Sequence, residues 1–271
     1  MTVTPGRLLL IGRPVAHSLS PLFQNAALRQ AGIPLVYEAL DVAPGDLAAT
    51  LDDVRRVHGA GNVTIPHKVA VAAACDRLTP MAHRTGAVNT FWHEGDVLVG
   101  DNTDVVGFDR LVDSLGLARQ PRCVALLGAG GGAAAVCESV AGWQGARVRV
   151  WSRDGTRADA LARRYAMIAV AVETPQAAAS GADLLVNATP IGLHDDAVPL
   201  PGAQIPRDAA VTDLVYRAGE TCFVREARAY GHTAADGLVM LLEQGAEAFQ
   251  RWFGVQPDRD VMRRALRQAA G

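Results

Sequence analysis

The sequence predicts an α/β protein of two domains, each built on a mainly parallel sheet covered by helices. Three observations carry this. The chain has 271 residues, 49% of them hydrophobic, enough for two ordinary cores. Its N-terminal part alternates short apolar runs with amphipathic stretches in a β-α-β-α-β-α order, the pattern of parallel strands joined by helical crossovers. A second alternation of the same kind opens at Cys123.

Taken in order, Leu8 to Ile11 is a continuous apolar run, as expected of a strand buried on both faces. A loop from Arg13 follows, with Ser20 as N-cap and Pro21 as first residue of a helix that runs to about Ala31 and stops at Gly32. Leu35 to Val42 is a second strand. Asp46 caps a helix with Leu47, Leu51, Val54 and Val57 on its apolar face. Gly59-Ala60-Gly61 then leads into Asn62-Val63-Thr64-Ile65-Pro66-His67-Lys68. Here Asn62 and Thr64 alternate with Val63 and Ile65, as in a short strand. Pro66 suits the first helical position, which puts Lys68 in the first turn, where the helix dipole disfavours a cation. A lysine held where its charge is unwelcome suits acid–base chemistry. The competing reading is an ordinary solvated lysine.

Ala87 to Trp92 and Val97 to Gly100 read as a hairpin across Glu94-Gly95-Asp96. Asp101-Asn102-Thr103-Asp104 is dense in capping residues and opens a helix ended by Gly116; the domain boundary falls near Asp104. In the second half, Cys123 to Leu127 is a buried strand, Gly128-Ala129-Gly130-Gly131-Gly132-Ala133 a glycine turn, and a helix follows from Ala134. Further strands are expected at Arg147 to Trp151, Ala169 to Val172, Leu184 to Asn187 and Val211 to Val215. The chain ends in helix, with Leu238, Leu241, Leu242, Phe249, Trp252 and Phe253 on one stripe and Gln244 just off its edge.

Composition excludes several classes. The net charge of −2 and pI near 6.4 give no general attraction to nucleic acid or an anionic membrane. No window approaches the ~18 uninterrupted apolar residues of a membrane span, and the N-terminus lacks a signal-peptide layout. Cys75, Cys123, Cys137 and Cys222 are scattered, without a CxxC pair. They read as reduced, mostly buried thiols of a cytoplasmic protein, with no metal site.

Gly128, Gly130 and Ala133 fit G-x-G-x-x-G/A in a strand–turn–helix context. The first glycine makes the turn, the second admits a pyrophosphate, and the small third residue lets helix and strand pack closely. The phosphates then lie at a helix N-terminus, which favours anions. At the end of the next strand stand Ser152 and Arg153, with Arg157 four residues on. No acid occupies the strand end to take a ribose 2′-hydroxyl, and two guanidinium groups suit a 2′-phosphate. That points to NADP, although Asp154 is placed to pair with either arginine.

With these residues in view, the chain resembles the shikimate dehydrogenase family. The resemblance rests on Ser18-Leu19-Ser20-Pro21, Asn62 to Lys68, Ala87-Val88-Asn89-Thr90 and Asp101-Asn102-Thr103-Asp104, in that order, followed by the glycine turn, Asn187-Ala188-Thr189-Pro190, Tyr216 and the helix of Gln244. It implies a substrate domain of residues 1–103 with 238–271, a Rossmann-like NADP domain of residues 104–237, a cleft between them, and C-terminal helices returning to the substrate domain. It implies reversible NADPH-dependent reduction of 3-dehydroshikimate to shikimate, a step in aromatic amino acid biosynthesis, and it admits a homodimer. Lys68 and Asp104 become the catalytic pair. Ser18, Ser20, Thr64, Asn89, Asp104, Tyr216 and Gln244 become substrate ligands. The glycine turn (Gly128, Ala129, Gly130, Gly131, Gly132), Ser152, Arg153, Arg157, Leu214 and Gly237 become cofactor ligands.

The residue types suit this chemistry. An alkoxide forming at a ketone carbon needs a proton and a nearby positive charge, which Lys68 supplies. The helix start disfavours that charge while Asp104 favours it, so the two are expected to titrate together. Ser18 and Ser20, two apart on an extended chain, point the same way and suit a carboxylate, although capping alone explains Ser20. His17, His67 and His83 are expected to be structural or surface residues.

Five positions depart from the family pattern: Val105 where Gly is usual, Arg217-Ala218 for Asn-Pro, Gly132 for Ala and Leu193 for Met. Val105 matters most, because a β-branched residue stiffens the backbone beside Asp104. The alternatives are a dehydrogenase for quinate or an aminated analogue and, in another class, an NADPH-binding sensor without turnover. The paired serines favour shikimate over quinate, and the intact Lys68 and Asp104 disfavour the sensor.

Overall fold

The computed structural model describes residues 4–117, 120–217 and 219–270, so Ala218, one of the departures above, lies outside the described residues. The chain divides into two compact units. One comprises Met1–Asp104 with Leu241–Gly271, the other Val105–Met240.

In the first unit, β1 (Leu8–Gly12) is buried along its length, as its apolar run dictates. It leads to α1 (Ser20–Gln30), β2 (Tyr37–Asp41), α2 (Leu47–Arg56), β3 (Ala60–Val63), α3 (Lys68–Ala74), β4 (Arg77–Leu78), α4 (Pro80–Thr85), β5 (Thr90–Glu94) and β6 (Val97–Asp101). The sheet order is β2-β1-β3-β5-β6-β4. β2, β1 and β3 run parallel, β5 is antiparallel to both β3 and β6, and β4 runs parallel to β6. One face packs Leu9, Ile11, Leu51, Val54, Val63 and Phe91.

Several local expectations fail here for identifiable reasons. α1 starts at Ser20 itself, and Ser20 makes no side-chain cap bond; Leu19 is already helical, at φ −81° and ψ −7°. Instead Ser18 Oγ accepts the Ser20 N–H at 3.2 Å. The segment is therefore not extended, and the two serines do not share a strand-like face. Asp46 precedes α2 without a side-chain cap bond; its carbonyl accepts from the Thr50 hydroxyl instead. Pro66 is not the first residue of α3. The Ile65–Pro66 peptide is cis, and His67 takes the N-cap position, so Lys68 opens the helix. β3 stops at Val63, and Ile65 is exposed rather than sharing a buried face with Val63. Val57 lies past the end of α2 and is exposed. Gly32, at φ +66°, ends the α1 region as expected, since only glycine adopts that backbone freely.

The second unit contains α5 (Asp104–Ser114, which begins at the unit boundary), β7 (Cys123–Leu127), α6 (Gly131–Ala141), β8 (Arg147–Trp151), α7 (Gly155–Arg164), β9 (Ala169–Ala171), α8 (Pro175–Ala179), β10 (Leu184–Asn187), β11 (Ala210–Asp213), α9 (Cys222–Ala229) and β12 (Ala234–Ala235). The sheet order is β12-β11-β10-β7-β8-β9, with every pairing parallel. Counted from β7, this is the doubly wound order 3-2-1-4-5-6, which changes direction between β7 and β10. The strands are apolar on both faces because helices cover both. Val124 and Leu126 join Val136 and Val148 on one side, while Ala125 and Leu127 join Leu185, Val211 and Phe223 on the other. The α6 helix starts three residues before Ala134, so Ala133 lies inside it, fully buried.

The chain then enters α10 (Leu238–Phe253) and α11 (Arg259–Ala270). The unit boundary falls inside α10, after Met240. Leu241, Leu242, Phe249 and Trp252 are buried along the expected stripe, and the Trp252 indole N–H donates to Thr90 Oγ1 at 3.0 Å. All four cysteines are free, but only Cys137 is buried. Among the described residues, no helix is long and apolar enough to cross a membrane.

Candidate active site

In the first unit, four separate segments bring polar side chains together. Lys68 opens α3 after the turn that leaves β3. Asp104 opens α5, its own N–H donating to Asn102 Oδ1 at 3.1 Å. Lys68 Nζ lies 2.5 Å from Asp104 Oδ2, and both side chains are largely buried. Val105, itself buried in α5, does not keep this pair apart, because the helical backbone it adopts is open to a β-branched residue.

Asn89, fully enclosed just before β5, is the hub. Its Nδ2 lies 2.8 Å from Asp104 Oδ1, 3.0 Å from Thr103 Oγ1 and 3.1 Å from Gln244 Oε1. Two amide hydrogens thus face three acceptors. Its Oδ1 accepts from the Thr103 N–H at 2.7 Å. The backbone oxygen of Asn89 accepts from Val63 N–H and from Asn62 Nδ2. Asn62 is held in turn by the Tyr37 hydroxyl at 2.8 Å. Each carboxylate oxygen of Asp104 therefore has a donor, which a buried charge requires.

α10 supplies Gln244, and two side chains fix its register. Thr103 Oγ1 lies 3.0 Å from Gln244 O, and Gln24 Nε2 donates to Gly245 O at 2.9 Å. A Cβ at Gly245 would stand 2.5 Å from the Phe23 ring, so a larger residue there would push α1 away. Gln24 follows Ser20 by one helical turn on the buried side of α1. Thr64, half-buried, packs its methyl over Gly12. His67 is buried and its Nε2 meets Val42 O at 2.7 Å, a structural role as expected.

Thr103, Asn62 and Gln24 were not singled out from the sequence. Thr103 and Asn62 lie inside motifs that were, so their position was the available signal. Nothing in the sequence marks Gln24.

In the second unit, the glycine turn sits at the carboxyl end of β7, where the strand order changes direction. Gly128 has φ +120°, and a Cβ there would lie 2.6 Å from Ala188 O, so both backbone conformation and close approach to the neighbouring strand demand glycine. Gly130 caps α6 without a side chain, and nothing lies within 4 Å of where its Cβ would be. That open space at a helix N-terminus fits a pyrophosphate. Ala129 completes the turn, and Gly131 and Gly132 open α6, with Leu214 Cδ1 3.4 Å from the Cβ site of Gly132.

Ser152, Arg153 and Arg157 lie just beyond β8, both arginines exposed. Among the described residues Asp154 forms no ion pair with either arginine, although the Arg157 charge reaches it. It caps α7, accepting from Thr156, and the Thr156 hydroxyl holds its carboxyl below the usual range. Two uncommitted guanidinium groups and no free acid fit a 2′-phosphate, so the residues present suit NADP. Leu214 and Gly237 are brought together, as a Cβ on Gly237 would lie 2.4 Å from Leu214 O. Tyr216 follows in the same loop, half-buried. Arg217, another departure, donates to Asp195 O and Asp196 Oδ1. Among the described residues, no group of three or more His, Cys, Asp or Glu side chains is placed to hold a metal ion.

A doubly wound sheet with an open glycine turn, in one chain with a buried lysine–aspartate pair set in amides and hydroxyls, defines a nicotinamide-dependent oxidoreductase. Family models agree: residues 10–91 match the shikimate dehydrogenase substrate binding domain and residues 237–267 the shikimate 5′-dehydrogenase C-terminal domain. A shikimate dehydrogenase (NADP(+)) of Geobacter metallireducens is 40% identical, over 95% of this chain and 94% of its own. The crystal structure of the Thermus thermophilus shikimate 5-dehydrogenase in complex with NADP(H) and shikimate is similar at TM-score 0.87 and 42% identity, covering 97% of this chain and 99% of that one. A quinate dehydrogenase from Corynebacterium glutamicum in complex with NAD also has TM-score 0.87, at 30% identity, over 96% of this chain and 98% of that one. The chain belongs to the shikimate dehydrogenase family.

Proposed function

We propose that this protein reversibly reduces 3-dehydroshikimate to shikimate with NADPH. The observation that carries the reading is the Lys68–Asp104 pair, 2.5 Å apart and enclosed by Asn89 and Gln244. The Thermus relative, whose structure was solved with NADP(H) and shikimate, supports the choice of substrate. The first unit then serves as substrate domain and the second as NADP domain, with Gly128, Ala129, Gly130, Gly131 and Gly132 at the phosphates and Ser152, Arg153 and Arg157 at the 2′-phosphate. Leu214 and Gly237 line the nicotinamide.

The bound nicotinamide supplies a hydride to the ketone carbon. Lys68 gives its Nζ proton to the resulting alkoxide oxygen and regains one from water. Asp104 holds Lys68 through Oδ2, and Asn89 holds Asp104 through Oδ1. Ser18, Ser20, Thr64, Tyr216 and Gln244 meet the ring hydroxyls and carboxylate, and Asn89 contributes whichever donor its partners release. Protonation at a fixed point beside a positive charge is worth roughly 10²–10⁴-fold in rate. Four free cysteines support a cytoplasmic setting. The reading admits a homodimer, which light scattering checks.

The test is purified protein with NADP+ or NAD+ and shikimate or quinate, followed at the reduced-nicotinamide absorbance. Turnover of shikimate with NADP+ is expected to dominate. Replacing Lys68 by Ala should lower kcat by about 10³-fold while shikimate affinity changes far less. Near-normal turnover of that variant would remove Lys68 from the mechanism. NADPH binding without turnover of either substrate would make the protein a sensor.

A further inference from the structure

One buried ionisable group has no part in this chemistry. Asp213 ends β11 and is completely enclosed. It lies directly across from Asn187, the last residue of β10, in the parallel register. Asn187 Nδ2 donates to Asp213 Oδ1 at 2.8 Å, and the Val215 N–H donates to the same oxygen at 3.0 Å. Asp213 Oδ2 makes no hydrogen bond of ordinary geometry.

The bonds around this pair organise two loops. On the β10 side, Asn187 Oδ1 accepts from Thr189 N–H at 3.0 Å and from its hydroxyl at 2.6 Å. Asn187 Nδ2 also lies 3.2 Å from Ile191 O. On the β11 side, the Leu214 N–H donates to Asn187 O at 2.9 Å. Val215, held by Asp213, accepts the Gly237 N–H at 3.0 Å, and Gly237 in turn sits against Leu214 O. Asn187 and Asp213 thus hold Thr189, Leu214 and Val215 directly, and Gly237 is held in turn through Leu214 and Val215.

Burial pushes the Asp213 carboxyl up to about 6; the Val215 amide, the Thr221 hydroxyl and the Asn187 amide pull against that, and the Asp236 carboxylate adds to it. The group is thus mostly ionised at neutral pH in a place that disfavours charge. A buried charge of this kind is weak evidence for a stabilising role. A charged acceptor does, however, hold its donors at shorter and stronger bonds than a neutral one.

We propose that Asp213 and Asn187 form a buried clamp that fixes the loops after β10 and β11, making Asp213 a positioning residue that sets the nicotinamide wall at Leu214 and Gly237 for hydride transfer. The inference rests on the reading that Leu214 and Gly237 line the nicotinamide. It assigns Asp213 no contact with substrate or cofactor. Its effect is on geometry, and so on the rate of the hydride step rather than on the holding of the sugar-like ring by the other unit.

The test compares Asp213→Leu, which keeps the side-chain shape without its acceptors, with Asp213→Asn, which keeps one. Reduction of 3-dehydroshikimate is followed with NADPH and with NADPH deuterated at C4. The Leu variant is expected to lose at least about tenfold in kcat, with the substrate KM within about threefold and a larger primary isotope effect; the Asn variant should stay within about threefold of wild type. Where Asp213→Leu is insoluble, Asn187→Ala cuts the same clamp and should reproduce the loss. A folded clamp variant with unchanged kcat and isotope effect overturns the inference. If the wild-type protein itself fails to turn over shikimate or 3-dehydroshikimate, the functional reading falls. The clamp is then judged by the fluorescence of bound NADPH: an altered nicotinamide signal in Asp213→Leu upholds it, and an unaltered one overturns it.

Discussion

Replacing Asn89 by Ala tests whether this residue organises the site or merely touches the substrate. The substitution removes the acceptor for the Thr103 N–H, 2.7 Å away, and the donor to Asp104 Oδ1, 2.8 Å away. Both groups are buried. A buried polar group left without a partner costs about 1–3 kcal/mol, and water entering the vacated space recovers part of it. The net loss should be about 3 kcal/mol, which for a chain of this size corresponds to roughly 6–12 °C in Tm. Asp104 then loses one of two anchors, so kcat should fall by about 10–100-fold, the equivalent of about 1.4–2.8 kcal/mol. Thermal unfolding without ligands gives the first figure, and shikimate oxidation at saturating NADP+ gives the second. A Tm within about 2 °C of wild type, with only the shikimate KM raised, would refute the reasoning, because the loss would then lie in substrate contact alone.

Two further predictions concern the second unit. Arg153→Leu should raise the NADPH KM by about tenfold or more and leave the NADH value unchanged, because a guanidinium facing a 2′-phosphate forms a charge-assisted bond that NADH lacks; equal effects on both cofactors would remove the 2′-phosphate assignment. The second is a pH dependence. The folded pKa of Asp213, about 6, lies above its ordinary value of 3.8, so the native state binds the proton more tightly than the unfolded chain. Its contribution is fully present below the ordinary value and is lost as pH rises through about 6, amounting to about 3 kcal/mol. Asp213→Asn should therefore gain on wild type between pH 4 and 7 in urea-unfolding free energy. A stability difference that is flat with pH would show that the carboxyl is not perturbed.

What the sequence made legible follows from how local each signal is. β7 and β8 lie at the residues expected, because a run such as Cys123 to Leu127 admits no other reading between its flanking glycines and prolines. The two-residue strands β4 and β12 carry no alternation and could not be found. Ser20 looked like a cap because Ser-Pro commonly opens helices, yet Ser18 is the side chain that accepts the bond. Pro66 looked like a first helical residue because proline favours that place, but a turn intervenes. In the site, the Lys68 and Asp104 motifs pointed to a pair, and the pair forms. The threefold sharing of Asn89, the Gln24 contact to Gly245 and the enclosed Asp213 all depend on segments far apart in the chain. An acid closing an apolar strand looks from sequence like a solvent-facing end.

The amide of Asn89 meets Gln244 across 155 residues of chain, and Thr90 meets Trp252 across 162. During synthesis, the ribosome therefore releases Asn89, Thr90 and Thr103 long before their partners exist. Residues 1–104 must wait, with an uncovered sheet face and an incomplete polar cluster, while all of Val105–Met240 is made. The second unit has no such debt, since its strands and helices are contiguous. Maturation of the catalytic centre is thus a late event set by the arrival of α10, and a chain cut before Leu241 has every motif of the lysine–aspartate pair without the helix that closes over it.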